Sequence, residues 1–304
     1  MTPTQPRPTT IVDAPRLSRK LGVDLVLASE TLQYTGSFKF RAAYNVASRV
    51  NQSHVITASS GNFGQAIAYA CAQFGKRCTV VMPSAAPKVK VDAVREYGAE
   101  VDLLDVSKKS RLERLGELAK QYPEAYVASP YDDMLVIEGN SSLGDELFEL
   151  GLDLDYIIAP IGGGGLTSGL VKAVERAGKK TDVIAAEPLL SNDAALSFRA
   201  GRIVALPDES GTIADGARVL RIGDRNWEIL CAGLAAVIEV TEDQIKEGLR
   251  LLFALANLKA EPTGALAIGA LLAQKQRFKG KRVCCVISGG NADPALYAEL
   301  VKGI

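Results

Sequence analysis

Short runs of β-branched residues alternate along this chain with stretches whose apolar positions recur every three or four residues. "HVITASSGNFGQAIAYACAQFG" passes from a β-branched run through a serine and glycine turn into an amphipathic stretch, and "CTVVMPSAAPKVKVDAVREYG" repeats the pattern. Strand, turn and helix in that order predict βαβ units and a parallel sheet. "AEVDLLDV", "EAYVAS", "DYIIAPIGGGG", "DVIAAE", "AAVIEV" and "RVCCVISGG" continue the series, with helices such as "LTSGLVKAVERAG" and "DQIKEGLRLLFALANL" between them. The chain reads as α/β throughout. No repeat or low-complexity linker marks a border. A compact group of units at 42–130 precedes a longer one, which predicts a small domain there and a large domain made of 1–41 and 131–304.

Composition narrows the partners. A chain of 304 residues suits two modest domains, and 35 basic residues against 35 acidic ones give no net field to recruit nucleic acid or an anionic membrane. A small molecule is the expected partner. The start "MTPTQPRPTT" has no apolar core behind its charge, and no uninterrupted apolar run reaches membrane-spanning length, so a soluble, cytoplasmic protein is expected. Cys71, Cys78, Cys231, Cys284 and Cys285 form no CxxC pair and read as buried small apolar residues. His54 is the only histidine, which excludes multi-histidine metal sites; it reads as an ordinary strand-start residue. Chemistry is left to lysine, serine, carboxylates or a bound cofactor.

Lys39 stands between Phe38 and Phe40 in "TGSFKFR", a stretch otherwise suited to burial. Burial disfavours an ammonium, so Lys39 is either a strand lysine whose head reaches water or an amine kept neutral for chemistry. "IIAPIGGGGLTSGLVKAV" runs a strand into four glycines and a helix start, where backbone N–H groups converge on an anion such as a phosphate. GxGxxG is not satisfied within Gly162–Gly169 and no lysine follows as in a P-loop, although Glu187 lies near the distance of a ribose-binding acid and keeps a nucleotide reading open. In "TASSGNFGQAIAYA", Ser59, Ser60 and Asn62 could hold a second anion or simply cap the helix. Ser288 in "VCCVISGGNAD" ends a strand at the edge where ligands gather in parallel sheets. An amine, a phosphate cradle, a hydroxyl and a carboxylate site are together the parts a pyridoxal phosphate enzyme requires.

At these residues the chain resembles the fold-type II pyridoxal phosphate enzymes, within them the threonine/serine dehydratase and serine racemase group. "LQYTGSFKFRAA", "ASSGNFGQ", "GGGGLTSG", "AAEP", "IADGA", "EPTGA" and "ISGGN" occur in the family's order across nearly the whole chain. The resemblance implies two open, mostly parallel twisted sheets flanked by helices, like the tryptophan synthase β-subunit, with pyridoxal 5'-phosphate in the cleft between them. It implies that Lys39 forms the Schiff base, that Phe38 sits at the ring and that Asn62 meets the phenolic oxygen. Gly162, Gly163, Gly164, Gly165 and Leu166 would hold the phosphate, Gly216 would belong to the cofactor site, and Ser288 would face the pyridine nitrogen.

The activity so implied is β-elimination of water from a β-hydroxy-L-amino acid such as threonine, serine or a β-aryl serine, giving a 2-oxo acid and ammonia. Lys39 would take the Cα proton, and Ser59, Ser60, Gly61, Asn62 and Phe63 would meet the substrate. In racemases of the group a serine at the position of Ser60 is the opposite-face acid/base, so amino-acid racemisation, alone or beside elimination, is the alternative. A non-catalytic nucleotide-binding regulator is the alternative of another class; it leaves Lys39 without a purpose. The group's divalent-cation site has its counterpart in Glu187, the Ser191 carbonyl and Asp193, oxygen ligands suited to Mg²⁺ or Ca²⁺. A homodimer is implied as well. The pattern breaks at Phe63, where the family commonly has His, at Ala28 and Ala42, and at Asn140 and Ser141, which bear on the substrate rather than the cofactor.

Overall fold

The computed structural model describes residues 3–86, 88–208 and 211–302. The first third contains β1 (Thr10–Asp13), α1 (Pro15–Leu21), β2 (Asp24–Ser29), α2 (Lys39–Arg49), β3 (His54–Ala58), α3 (Asn62–Gln73), β4 (Arg77–Pro83), α4 (Lys88–Glu96) and β5 (Glu100–Leu104). Next come α5 (Arg111–Gln121), β6 (Tyr126–Ala128), α6 (Met134–Glu149), β7 (Tyr156–Pro160), α7 (Gly165–Ala177), β8 (Asp182–Pro188) and α8 (Asp193–Ala200). The chain continues through α9 (Asp224–Gly233), β9 (Leu234–Val240), α10 (Glu242–Ala256), α11 (Leu266–Ala273), α12 (Lys275–Phe278), β10 (Arg282–Ile287) and α13 (Pro294–Val301).

Two units result. The smaller comprises 3–7, 33–35 and 39–139 and the larger 8–32, 36–38 and 140–302. The small unit thus reaches beyond the 42–130 read from the pattern. Two packing facts explain this. Helix α2 is continuous from Lys39 and buries Phe40, Ala43 and Val46 in the same core as Phe63 and Ile67 of α3. At the other end Gly139 of α6 lies against α2 so closely that a Cβ would come within 2.7 Å of the Arg41 carbonyl oxygen.

The small unit's sheet has the order β5-β4-β3-β6, all parallel. His54 opens β3 as expected, buried, with Nε2 2.9 Å from the Thr79 hydroxyl and its ring edge-on to Tyr122. The large unit's sheet has the order β1-β2-β10-β7-β8-β9, parallel except for β1 at its edge. The pattern missed β1 and β2, because a four-residue "TIVD" is too short for alternation to stand out. Strand β10 lies centrally and is covered on both faces, which is why "VCCVI" is uninterrupted apolar sequence. Successive residues face opposite ways, so Cys285 joins the core of Leu27, Ile158 and Ile287 while Cys284 joins that of Ala28, Ile157 and Val286. Four of the cysteines are buried as expected; Cys231, on α9, is exposed. No helix among the described residues is long and apolar enough to cross a membrane.

Candidate active site

In the small unit, Lys39 is the first residue of α2 and not a strand residue, although Phe38–Lys39–Phe40 mimics period-two alternation. Phe40 is fully buried, while Lys39 keeps partial exposure. Its Nζ donates to the Pro130 carbonyl at 2.6 Å and lies over the Phe63 ring, 5.7 Å from the centroid. These contacts place the amine between two loops at one edge of the sheet. Pro130 follows β6, and Phe63 lies in the first turn of α3, which comes after β3, the parallel neighbour of β6.

The loop between β3 and α3 is held tightly. Ser59 Oγ accepts from the Gly64 N–H at 3.2 Å and from the Gly61 N–H at 3.4 Å, leaving its own O–H to donate. Position 64 must be glycine, since a Cβ there would meet the Ser59 carbonyl oxygen at 2.6 Å. Ser60 and Gly61 are partly exposed and Asn62 starts the helix, so hydroxyls and first-turn N–H groups gather beside Lys39. Such an arrangement has the chemistry to suit a carboxylate next to an amine.

In the large unit, β7 delivers Ile161 and the four glycines to the N-terminus of the 13-residue α7. Gly164 has φ +99°, and a Cβ on it would meet Asn226 Cβ at 2.8 Å; on Gly162 it would meet Ala217 Cα at 3.2 Å. Gly164 thus has no room for a side chain and Gly162 little, so at these positions the loop presents backbone alone. The Gly163 carbonyl accepts from the Gly223 N–H, and the Gly164 carbonyl from the Thr167 hydroxyl at 3.0 Å. Leu166 is buried behind the loop. Gly216, in the turn packed against Gly162, donates its N–H to Thr263 Oγ1 at 3.0 Å. Thr263 was not singled out from the sequence beyond its place in "EPTGA"; it fixes that turn.

Ser288 follows β10 and is 1% exposed, and its hydroxyl has no hydrogen-bond partner in the protein. Phe38 donates its N–H to the Ser288 carbonyl at 2.9 Å, and Ser37 opposes Gly289 in an antiparallel bridge. Opposed residues of such a pair put their side chains on one face, so Phe38 and Ser288 point the same way. A buried hydroxyl with nothing to bond, a ring beside it, and a side-chain-free cradle at a helix N-terminus suit a planar phosphorylated heterocycle.

Glu187 is the penultimate residue of β8 and Asp193 begins α8, both buried. Glu187 accepts from the Ala194 and Ala195 N–H groups at 2.7 and 2.8 Å. The Asp193 carboxylate makes no close hydrogen bond, its nearest donors being its own backbone N–H and that of Ile222, and the buried Ser191 hydroxyl has no partner. Burial pushes the Asp193 carboxyl up to about 7, and burial together with the Asp193 charge raises Glu187 well above the usual carboxylate range. Two adjacent buried acids suit a hard cation with oxygen ligands. No cluster of three histidine, cysteine or acidic side chains occurs among the described residues, so the third ligand would have to be a backbone or hydroxyl oxygen. Of the departures, Ala28 and Ala42 are buried, Ser141 Oγ accepts from Arg176 at 3.0 Å, and neither amide atom of the buried Asn140 is bonded.

The fold and these residues define a cofactor-dependent enzyme built on parallel sheets. The chain belongs to the pyridoxal-phosphate dependent enzyme family, whose model matches residues 3–289. It is 36% identical to an L-threo-3-hydroxyaspartate ammonia-lyase from Pseudomonas sp over 300 residues, 97% of this chain and 93% of that one. It is 35% identical to the catabolic L-threonine dehydratase of Escherichia coli over 91% of this chain and 85% of that one. The solved serine racemase of Dictyostelium discoideum superposes with a TM-score of 0.88 at 35% identity, covering 95% of this chain and 94% of that one. Pyridoxal phosphate is the cofactor and an amino acid the substrate.

Proposed function

We propose that this enzyme removes water from a β-hydroxy-L-amino acid to give a 2-oxo acid and ammonia. The observation that carries the reading is the position of Lys39 Nζ, bonded to Pro130 and set against the first turn of the helix that opens with Asn62. A base placed there meets the Cα proton of a substrate whose carboxylate is gripped by Ser59, Ser60, Gly61 and Asn62. When bound, pyridoxal phosphate supplies the electron sink for the pair left at Cα. Gly162, Gly163, Gly164, Gly165, Leu166 and Gly216 would hold its phosphate end, Asn62 its phenolic oxygen and Ser288 its ring nitrogen, with Phe38 at the ring. Ser288 offers a neutral hydroxyl rather than a charge, which favours prompt departure of the β-hydroxyl over a long-lived carbanion. The names of three relatives, a dehydratase and two ammonia-lyases, support the same chemistry.

Racemisation is the second reading, supported by two serine racemases among the relatives and by Ser60 in the carboxylate loop. Time courses of 2-oxo acid and D-amino acid from the same reaction separate them, and D-amino acid accumulating faster overturns the dehydratase reading. Ser60→Ala should depress elimination by misplacing the substrate if Ser60 only binds; if it is the second acid/base, the variant loses racemisation and keeps most L-dehydratase activity. Lys39→Ala should abolish turnover, a loss of at least about a hundredfold to ten-thousandfold, in a protein that still folds. Glu187, Ser191 and Asp193 are proposed to hold Mg²⁺ or Ca²⁺, and the enzyme is proposed to work as a cytoplasmic homodimer.

A further inference from the structure

Phe63 is 1% exposed and packs in the small unit's core, yet its ring also faces the Lys39 amine at 5.7 Å. A cation within about 6 Å of a ring centroid is attracted to the ring's negative face, the more so where water is excluded. The Pro130 carbonyl, 2.6 Å away, is a second neutral group that favours a positive charge at the same nitrogen. Both partners are built into fixed elements. Phe63 sits in the first turn of α3, and Pro130 sits two residues beyond β6.

We propose that Phe63 is a positioning residue for Lys39, its ring face holding the Nζ atom in place and favouring the positive charge that nitrogen carries whenever it bears a proton. Resting on the reading of Lys39 as cofactor-bearing lysine and base, the inference adds a role for a residue otherwise taken as core or substrate contact. When the Cα–H bond breaks, its electron pair stays with the substrate and the proton passes to the Nζ lone pair. The ammonium so formed is stabilised by the groups fixed around the nitrogen. The Phe63 ring face and the Pro130 carbonyl oxygen each contribute to it without adding a net charge of their own.

The test reads charge on the nitrogen rather than turnover. In the holoenzyme the visible cofactor band is titrated toward alkaline pH, where loss of the proton on the lysine nitrogen changes the spectrum. Phe63→Leu keeps an apolar side chain and removes the ring face; a trifluorinated phenylalanine at position 63 keeps the shape and weakens that face. Both should bring the spectral change about half a unit to one unit lower in pH than in the unmodified enzyme. Phe63→Tyr, which keeps the face, should titrate with the unmodified enzyme. Thermal melts of each apoenzyme identify any variant that fails to fold, and the fluorinated protein then decides. A band in the fluorinated or leucine variant that titrates no earlier than in the unmodified enzyme overturns the proposal. Lys39→Ala separates the two layers: a lysine-linked band that persists without Lys39 overturns the assignment of the lysine itself, whereas its loss alongside unshifted Phe63 variants leaves that assignment standing and removes only the role of Phe63.

Discussion

Gly164→Ala is the most informative single change in the glycine loop proposed to hold the phosphate, because α7 carries its own control. Both ends of that helix are flanked by glycines of positive φ, Gly164 at +99° and Gly178 at +60°. At Gly178 a Cβ meets nothing within 4 Å; at Gly164 it meets Asn226 Cβ at 2.8 Å and Leu230 Cδ1 at 3.1 Å. Left-handed backbone costs an alanine about 1–2 kcal/mol, and forcing a methyl into a packed site adds about 1–3 kcal/mol. Gly178→Ala should therefore lose about 1–2 kcal/mol and Gly164→Ala about 2–5 kcal/mol. At roughly 2–4 °C per kcal/mol the two apoenzymes separate clearly in a thermal melt. The functional difference should be larger. Relieving the clash means moving the loop away from α9, which spoils the convergence of its N–H groups on a phosphate. One lost hydrogen bond to a charged group is worth about 1.5–3 kcal/mol, a weakening of about tenfold to a hundredfold. Titrating pyridoxal phosphate into each apoenzyme by absorbance measures this directly. Equal melting losses in the two variants, or cofactor affinity within about twofold of the unmodified protein in Gly164→Ala, would refute the reasoning.

Mg²⁺ or Ca²⁺ should raise the melting temperature and a chelator lower it, with Asp193→Asn abolishing the difference; a hundredfold excess over the dissociation constant corresponds to about 2.7 kcal/mol. Superimposable melts with no bound metal by elemental analysis would remove the ion from the account. His54, the only histidine, gives one imidazole signal in a proton NMR titration. Burial first, and the nearby Arg77 charge second, lower its affinity for a proton in the fold below the ordinary 6.5. The unfolded chain then takes up a proton that the fold resists, so stability should fall as pH drops through 6.5 toward the folded value, and His54→Gln should flatten that limb. A His54 midpoint above 6.5 would contradict this.

Much of the candidate site is legible in the sequence because its proposed parts are side chains or glycines with few other uses. Four glycines between a strand and a helix, a lysine in "SFK" and a serine ending an apolar run each announce themselves. What stayed hidden acts through the backbone or through distance in sequence. Pro130 contributes a carbonyl oxygen, which every residue has, and its meeting with Lys39 depends on β6 pairing with β3. Thr263 steadies Gly216 across 47 positions. That Lys39 starts a helix is hidden because two aromatic neighbours imitate strand alternation, whereas the helix is defined by Ala43, Val46 and Ala47 further along. The small unit's limits escaped for a similar reason: they are set where Gly139 can approach a neighbouring helix, and no composition change accompanies that approach.

The uneven burial of the cysteines makes the molecule ready for spectroscopy without engineering. Cys71, Cys78, Cys284 and Cys285 are sealed in cores, and Cys231 alone is open on α9, the helix whose Asn226 and Leu230 back the glycine loop at Gly164. A thiol reagent applied under native conditions should consume one equivalent, rising to five after denaturation. A fluorophore attached in that single step would sit next to Leu230 on the same short helix, where it can follow cofactor arrival in the native sequence, in real time, with every glycine of the loop unaltered.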